Sequence, residues 1–185
     1  MSGRTASLPV AGGNARSYIA LLRGVNLIGK SSLKMADLKA IAGDLGLENA
    51  RTYIASGNLL FKSNKPEEAL RRALEKDLQK HMGKEVRVML RTADEMAKVV
   101  KANPFTDQPG NNVQAFFLNQ APPKDLLDTV RNKAGDERVA AGTREVFVAY
   151  GERGIGKSRI RIPAAEAGTA RNMNTVARLA ELARE

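Results

Sequence analysis

The hydrophobic pattern of the first half of the chain predicts six elements in the order βαββαβ. A continuous apolar run over residues 18–22 is typical of a central strand buried on both faces. The predicted elements are a strand at 18–22, a helix at 35–45, strands at 51–54 and 59–61, a helix at 66–82 and a strand at 86–91. This order is that of a ferredoxin-like unit.

The second half of the chain repeats this order less clearly. Thr92 and Glu95 form a capping box that opens a short helix, and Pro104 must stop that helix. The turn-rich segment 104–112 then favours a boundary between two lobes. The elements predicted beyond it are a strand at 113–118, a helix at about 123–132, strands at 138–140 and 145–150, a glycine-rich loop, and a helix at about 172–184. We interpret them as a degenerate second copy, on element order and not on residue identity.

These patterns predict an α+β fold of two ferredoxin-like lobes, with mixed or antiparallel sheets covered by helices. Residues 1–16 are rich in Gly, Ala and Ser and are interpreted as a flexible tail. The first lobe is then predicted over 17–103, and the degenerate second lobe with its C-terminal helix over 104–185.

Composition narrows the classes of function. The chain has 185 residues, and its 30 Lys and Arg against 20 Asp and Glu leave a formal charge of +10. The absence of Cys excludes disulfides, thiolate catalysis and cysteine-ligated metal centres, and His81 is the single histidine. We therefore expect no bound metal and no cofactor. With no apolar run of membrane-spanning length and no secretory signal, a cytoplasmic location is expected. The oligomeric state stays open.

Two strings match the phosphate-loop pattern G-x-x-x-x-G-K-S, at 24–31 and 151–158. In that motif the backbone N–H groups wrap the phosphates at the start of a helix, and the hydroxyl takes Mg²⁺. A nucleotide triphosphatase also needs an apolar strand that ends in Asp, and no predicted strand here ends so. The alternation of Ile and Arg after Ser158 also argues against a following helix. A weaker role, in which these loops hold some phosphate or carboxylate, stays open.

Six strings together resemble a known family of bacterial proteins. They are YIALLRGVNLIGK at 18–30, MADL at 35–38, RTYIASGN at 51–58, NPF at 103–105, GIGKS at 154–158 and TARNMNT at 169–175. The resemblance is to the family called domain of unknown function 1697, over nearly all of 17–183. It implies two ferredoxin-like lobes and no established activity. Ala55 and Met173 depart from the family pattern, where Gln and Trp are usual, so ligand contacts are expected to be reduced at any site that these two side chains line.

Three polar strings are candidates for one anion-binding cleft. They lie after the first strand, at the hairpin and at the start of the last helix. Arg side chains, small polar side chains and exposed N–H groups at a helix start suit an anion. The candidate residues, with the lysine of the second glycine-rich loop, are Arg23, Asn26, Lys30, Lys34, Ser56, Asn58, Lys157, Arg171, Asn172 and Asn174. The competing interpretation is local: asparagines fix turns, and Asn172 or Asn174 caps the last helix.

The charge and the fold favour a binding protein for an anionic partner, with nucleic acid held through its phosphate backbone as the leading candidate. Residues 147–150 match the end of an RNA-recognition strand motif, but aromatic residues are only 4% of the chain, which argues against a base-stacking platform. Polymer binding predicts one exposed face carrying Lys30, Lys34, Arg153, Lys157, Arg159 and Arg161. The alternative is an enzyme acting on a small phosphorylated or carboxylated ligand in the 23–34, 56–58 and 171–174 cleft. Whether the protein is an enzyme, and by which catalytic residues, stays open.

Overall fold

The computed structural model describes residues 13–25, 32–54 and 57–185. Eight strands and four α-helices form in this part of the chain. In order they are β1 (Arg16–Arg23), α1 (Met35–Asp44), β2 (Glu48–Thr52), β3 (Asn58–Ser63), α2 (Glu67–Met82), β4 (Arg87–Thr92), α3 (Ala93–Ala102), β5 (Val113–Phe117), β6 (Arg138–Ala141), β7 (Glu145–Ala149), β8 (Thr169–Asn172) and α4 (Met173–Leu182). No helix of the described residues is long and apolar enough to cross a membrane.

The strands form two four-stranded sheets with the same topology. The first sheet has the order β2-β3-β1-β4 and the second has β6-β7-β5-β8, and every neighbouring pair is antiparallel. In each lobe the first strand is therefore central, and the second and fourth strands are the edges. The predicted α+β fold of two ferredoxin-like lobes is confirmed, and both sheets are purely antiparallel.

Local sequence explains why the first-lobe helices form where they do. Leu70, Leu74 and Leu78 give α2 one buried stripe, and Gly83 ends the helix at a positive φ of 67° that glycine adopts without strain. The predicted capping box of α3 is present: the Thr92 side chain accepts from the backbone N–H of Glu95 at 3.2 Å, and the Glu95 carboxylate accepts from the N–H of Thr92 at 2.8 Å.

The second lobe differs from the predicted elements at two places. The helix expected over 123–132 is only a short 3-10 helix at Leu126–Thr129. Of its four residues Leu126 alone is buried, so the segment lacks the apolar stripe that holds a full helix against a sheet. Strand β8 was missed, because its four residues show no clear alternation and only pairing with β5 defines them.

A shared core joins the lobes. One face of each sheet packs with α3 and α4, which contact each other, into a single cluster. Its members include Ile19, Leu21, Leu60 and Met89 from the first sheet, Val113, Ala115, Phe117, Phe147 and Ala149 from the second, and Met96, Val99, Val176 and Leu179 from the two helices. The predicted division at 103/104 between lobes stays a prediction.

The outer faces of the two sheets are covered unequally. Helices α1 and α2 cover the outer face of the first sheet, where Tyr18, Ala20 and Leu22 are buried. The outer face of the second sheet is covered by 3-10 turns and extended segments between residues 126 and 165. This cover is thinner because a single extended layer places fewer side chains over a sheet than a helix pair does.

Candidate functional site

Arg171 lies at the end of β8 and reaches into the first lobe. Its Nε donates to the Asn58 side-chain oxygen at 2.7 Å, and its Nη2 donates to the carbonyls of Leu22 and Gly57 at 3.2 and 3.3 Å. The Thr169 hydroxyl accepts from Nη1 at 2.9 Å. Burial lowers the pKa of the Arg171 guanidinium to about 10, because the charged form loses hydration. The predicted cleft residues Asn58 and Arg171 are thus brought into direct contact.

Arg91 lies at the end of β4 and reaches into the second lobe in the same way. Its Nε donates to the Glu145 carboxylate at 2.8 Å, and its Nη2 donates to the carbonyls of Leu118 and Arg144 at 2.8 and 2.9 Å. The Arg91 side chain is 1% exposed and that of Glu145 5%. Burial lowers the pKa of Arg91, and the nearby Glu145 carboxylate opposes that shift.

The two arginines make equivalent contacts across the junction, which we call the paired arginine contacts. In each contact, an arginine near the end of the fourth strand of one lobe donates hydrogen bonds to the other lobe. The acceptors lie at the end of that other lobe's first strand and at the start of its third strand. Residues that occupy the same position in the two contacts are Arg91 and Arg171, Glu145 and Asn58, Arg144 and Gly57, and Leu118 and Leu22. The lobes are therefore repeated in their contacts as well as in element order.

A charged cluster borders the Arg91 contact. Arg144 pairs with Glu67 at 2.7 Å and with Glu95 at 3.1 Å, so that α2, α3 and the second lobe meet at one side chain. Burial alone would lower the pKa of Arg144, but the ion pairs with Glu67 and Glu95 raise it. The cluster therefore holds the lobes together with its charges satisfied internally.

The other cleft candidates divide between local duties and exposed positions. Asn172 caps α4, since its side chain accepts from the Thr175 N–H at 2.9 Å, and this supports the competing interpretation for that residue. Asn174 is exposed in the first turn of α4, Arg23 is half-buried at the end of β1, and Lys34 is exposed just before α1. Asn26, Lys30 and Ser56 lie outside the described residues.

The second glycine-rich loop is held by the protein's own carboxylates. The Asp136 carboxylate accepts from the N–H of Glu152 at 2.7 Å, and the Glu137 carboxylate accepts from the Ser158 hydroxyl. Gly151 has a φ of 60°, and a Cβ there would lie 2.2 Å from the Asp136 carboxyl, so only glycine fits. The chain leaves Ser158 in an extended conformation, so this match lacks the helix of a phosphate loop. The 24–31 match lies mostly outside the described residues.

Hydrogen bonds join residues 131–137 and 151–161 into one layer over the second sheet. Arg131 and Arg161 exchange two backbone hydrogen bonds of 2.9 Å, and Glu137 links Ser158 to the N–H of Ala134. All six cations of these two segments are exposed, and we call this set the basic layer: Arg131, Lys133, Arg153, Lys157, Arg159 and Arg161.

The basic layer contains four of the six cations that polymer binding predicted on one face, namely Arg153, Lys157, Arg159 and Arg161. Lys34 instead precedes α1, which covers the outer face of the other sheet. A single face that includes both Lys34 and the layer stays a prediction. The predicted face did not include Arg131 and Lys133. Arg131 lies within the helix predicted over 123–132, and Lys133 directly follows that helix.

The residues that match an RNA-recognition strand do not form a base-binding surface. Phe147 is 1% exposed and belongs to the shared core, and Tyr150 is 5% exposed on the other face of the sheet. In RNA-recognition modules the corresponding sheet face is open to bases, whereas here lobe packing closes it. The inner sheet face of the second lobe is therefore closed to bases.

Sequence reasoning also missed Arg91, Arg144 and Glu145. A signal was available for Arg91, since Leu90-Arg91-Thr92 and Ala170-Arg171-Asn172 both place an arginine directly before a helix-capping residue. Apolar residues follow that arginine at the same spacing in both copies, Met96 and Val99 in one and Val176 and Leu179 in the other.

Comparisons with known proteins agree with this description. The structure of the conserved bacterial protein SP0830 from Streptococcus pneumoniae is similar, with a TM-score of 0.74 over 92% of this chain and 99% of that chain. The two sequences are 21% identical, so the likeness concerns the fold alone. No curated protein matches the chain significantly. A family model described as a protein of unknown function, DUF1697, matches residues 15–147, from β1 through most of β7. Because this match covers more than half of the chain, the protein belongs to the DUF1697 family.

Proposed function

We propose that this protein binds a polyanion at the basic layer, with nucleic acid held by its phosphate backbone as the partner. The proposal includes a cytoplasmic location. The observation that carries it is the concentration of six exposed cations on two segments that hydrogen bonds join together. Phosphates spaced along a polymer can contact several such cations at once, and each contact releases condensed counterions.

The distribution of acidic groups supports the same proposal. The two segments contain three carboxylates, at Asp136, Glu137 and Glu152. Asp136 and Glu137 accept hydrogen bonds from the protein's own loop, and Glu137 is 1% exposed. Among the residues that the structure describes, Arg161 is the one cation of the layer that forms an ion pair, with Glu166 at 2.7 Å, and 66% of its side chain is exposed. The six exposed cations of the layer therefore outnumber the two exposed carboxylates of its segments, Asp136 and Glu152.

Salt dependence tests the proposal. Binding of a labelled 20-nucleotide single strand and a 20-base-pair duplex is measured by fluorescence anisotropy over a range of salt concentrations. We expect the double variant Lys157→Ala/Arg159→Ala to flatten the slope of log K against log salt by about one to two units, since each lost contact frees fewer counterions.

A matched variant controls for total charge. Lys76→Ala/Lys80→Ala removes two exposed cations from α2, which lies on the other lobe, and alanine suits a helix. We expect its slope to stay near that of the unchanged protein. Equal flattening by both double variants would mean that the layer is not the binding surface, and no salt-dependent binding to either polymer would overturn the proposed function.

A further inference from the structure

A small recess opens beside the basic layer on the outer face of the second sheet. It has a volume of about 160 Å³ and is lined by Phe116, Tyr150, Ile160, Arg161, Ile162, Ala165 and Glu166. Arg161 belongs to the basic layer, so the recess adjoins the layer at this residue. The volume is below the range of about 300 Å³ and more that is typical of sites for drug-sized ligands. A single ring system therefore suits it better than a whole nucleotide does.

The lobes differ in what lies at the floor of this recess. The paired arginine contacts make Leu118 equivalent to Leu22, and counting back two residues makes Phe116 equivalent to Ala20. Ala20 is fully buried beneath α1 and α2. Phe116 is only half-buried, because 3-10 turns replace those helices over the second sheet. The second lobe thus carries an aromatic ring at a central sheet position where its cover is thin.

The walls of the recess are apolar and its rim is charged. The hydroxyl of Tyr150 donates to the Gln114 side-chain oxygen at 2.6 Å, and burial raises the pKa of Tyr150 to about 12, so the phenol stays neutral. The rim carries the Arg161 and Glu166 pair, with both side chains more than half exposed. A guanidinium there can contact a phosphate, and a carboxylate can accept from an amino group on a base edge.

We propose that this recess takes one unpaired base of a single-stranded nucleic acid, stacked on Phe116, while neighbouring phosphates lie on the basic layer. This inference rests on the proposed function and names its substrate class. An apolar floor alone would suit many occupants. The adjoining cations select a polyanion that carries flat apolar rings, which is the chemistry of an unpaired strand. A base within a duplex cannot reach the floor, because it is stacked and paired.

An oligonucleotide without bases separates the contribution of the bases to affinity from that of the phosphates. Binding of a 12-residue thymidine strand is compared with that of a 12-residue chain of abasic spacers, which carries the same phosphates. Parallel strands of cytidine and uridine test the ribose forms. We expect the unchanged protein to bind the base-bearing strands about 5- to 150-fold more tightly than the abasic chain, which is the contribution of one stacked base.

A conservative variant tests whether the preference for base-bearing strands arises at Phe116. Phe116→Leu keeps an apolar side chain on the sheet and removes the aromatic ring. We expect it to lose most of the preference for base-bearing strands, while its affinity for the abasic chain stays unchanged. Phe105→Leu makes the same substitution in the shared core and should keep the preference. Circular dichroism confirms that both variants fold.

The outcomes distinguish the inference from the proposed function. If the unchanged protein binds the abasic chain and the base-bearing strands equally, with a steep salt dependence, the base recess is overturned and polyanion binding stands. If Phe116→Leu keeps the full preference while Phe105→Leu also keeps it, the base binds elsewhere and the assignment to this recess falls. Binding to none of the strands would overturn the base recess, and binding neither to the strands nor to the duplex would overturn both proposals.

Discussion

Arg91 keeps its charge inside the protein because Glu145 supplies an opposite charge and the carbonyls of Leu90, Leu118 and Arg144 accept from its Nη atoms. Removing one member of such a pair leaves the other charge buried and uncompensated, which costs more than the pair itself contributes. The stability of the lobe junction therefore depends on the two residues together.

Replacing Arg91 by Met is expected to lower the free energy of unfolding by about 3–5 kcal/mol, because the Glu145 carboxylate then lies buried without its cation. Urea denaturation followed by circular dichroism measures the change. Arg178→Met, which breaks an exposed pair with Glu181 on α4, serves as the control and should leave stability close to its original value.

The double variant Arg91→Met/Glu145→Leu completes the cycle. We expect it to lose less stability than the two single changes added together, since no uncompensated charge is left. Strictly additive losses would show that the pair contributes no coupling and that the contacts to backbone carbonyls hold the junction by themselves.

Among the elements, those of the first lobe could be predicted from the sequence because each has its own periodicity and its own stop signal. The stripe of Leu70, Leu74 and Leu78 and the glycine at position 83 are local features. The second lobe depends on pairing between distant segments. Strand β8 is defined by its register with β5, and the 3-10 helix within 123–132 buries Leu126 alone, which is too little apolar surface to hold a full helix.

Part of the candidate site could also be predicted from the sequence, and part could not. The sequence predicted that the strings around Asn58 and Arg171 lie close together, and they are in contact at 2.7 Å. The role of Asn172 as a cap was available from its position before an apolar run. The link between segments 131–137 and 151–161 could not be predicted, because hydrogen bonds between residues far apart in the sequence leave no periodic signal.

Two roles can be tested for Asn172 at the start of α4: a helix cap and a ligand contact. We expect Asn172→Ala to lower the free energy of unfolding by about 0.5–2 kcal/mol, because the N–H of Thr175 loses its acceptor. Binding to single-stranded nucleic acid should not change. Thermal and urea denaturation measure the first effect, and anisotropy measures the second.

Asn172→Ser retains a capping oxygen and should keep most of that stability. If Asn172→Ala unfolds at the same urea concentration as the unchanged protein but binds nucleic acid more weakly, the residue acts as a ligand contact and the original anion-site hypothesis for it gains support.

For the molecule as a whole, the shared core makes the two lobes dependent on each other. Leu21 in β1 and Phe117 in β5 are fully buried in the same cluster, with α3 and α4 packed around them. Each lobe would expose one apolar sheet face if the other unfolded. Unfolding is therefore expected to be a single cooperative transition.

Native-state hydrogen exchange checks this cooperativity. The slowest amides of β1 and β5 should exchange with the same free energy, since both open only by global unfolding. Leu21→Ala, which removes buried volume from the shared core, should lower the protection of both strands by a similar amount, about 2–5 kcal/mol. Protection that falls in β1 alone would show that the lobes unfold separately.

The paired arginine contacts have the form of an isologous dimer interface, in which one surface patch binds an identical patch on a second copy. A free-standing lobe with an arginine at the end of its fourth strand and an acceptor at the start of its third could make both contacts with its twin. Joining the two copies in one chain removes the concentration dependence of that association. It also lets the copies diverge, so that one retains its covering helices while the other leaves Phe116 half-buried under a thinner cover and carries the basic layer.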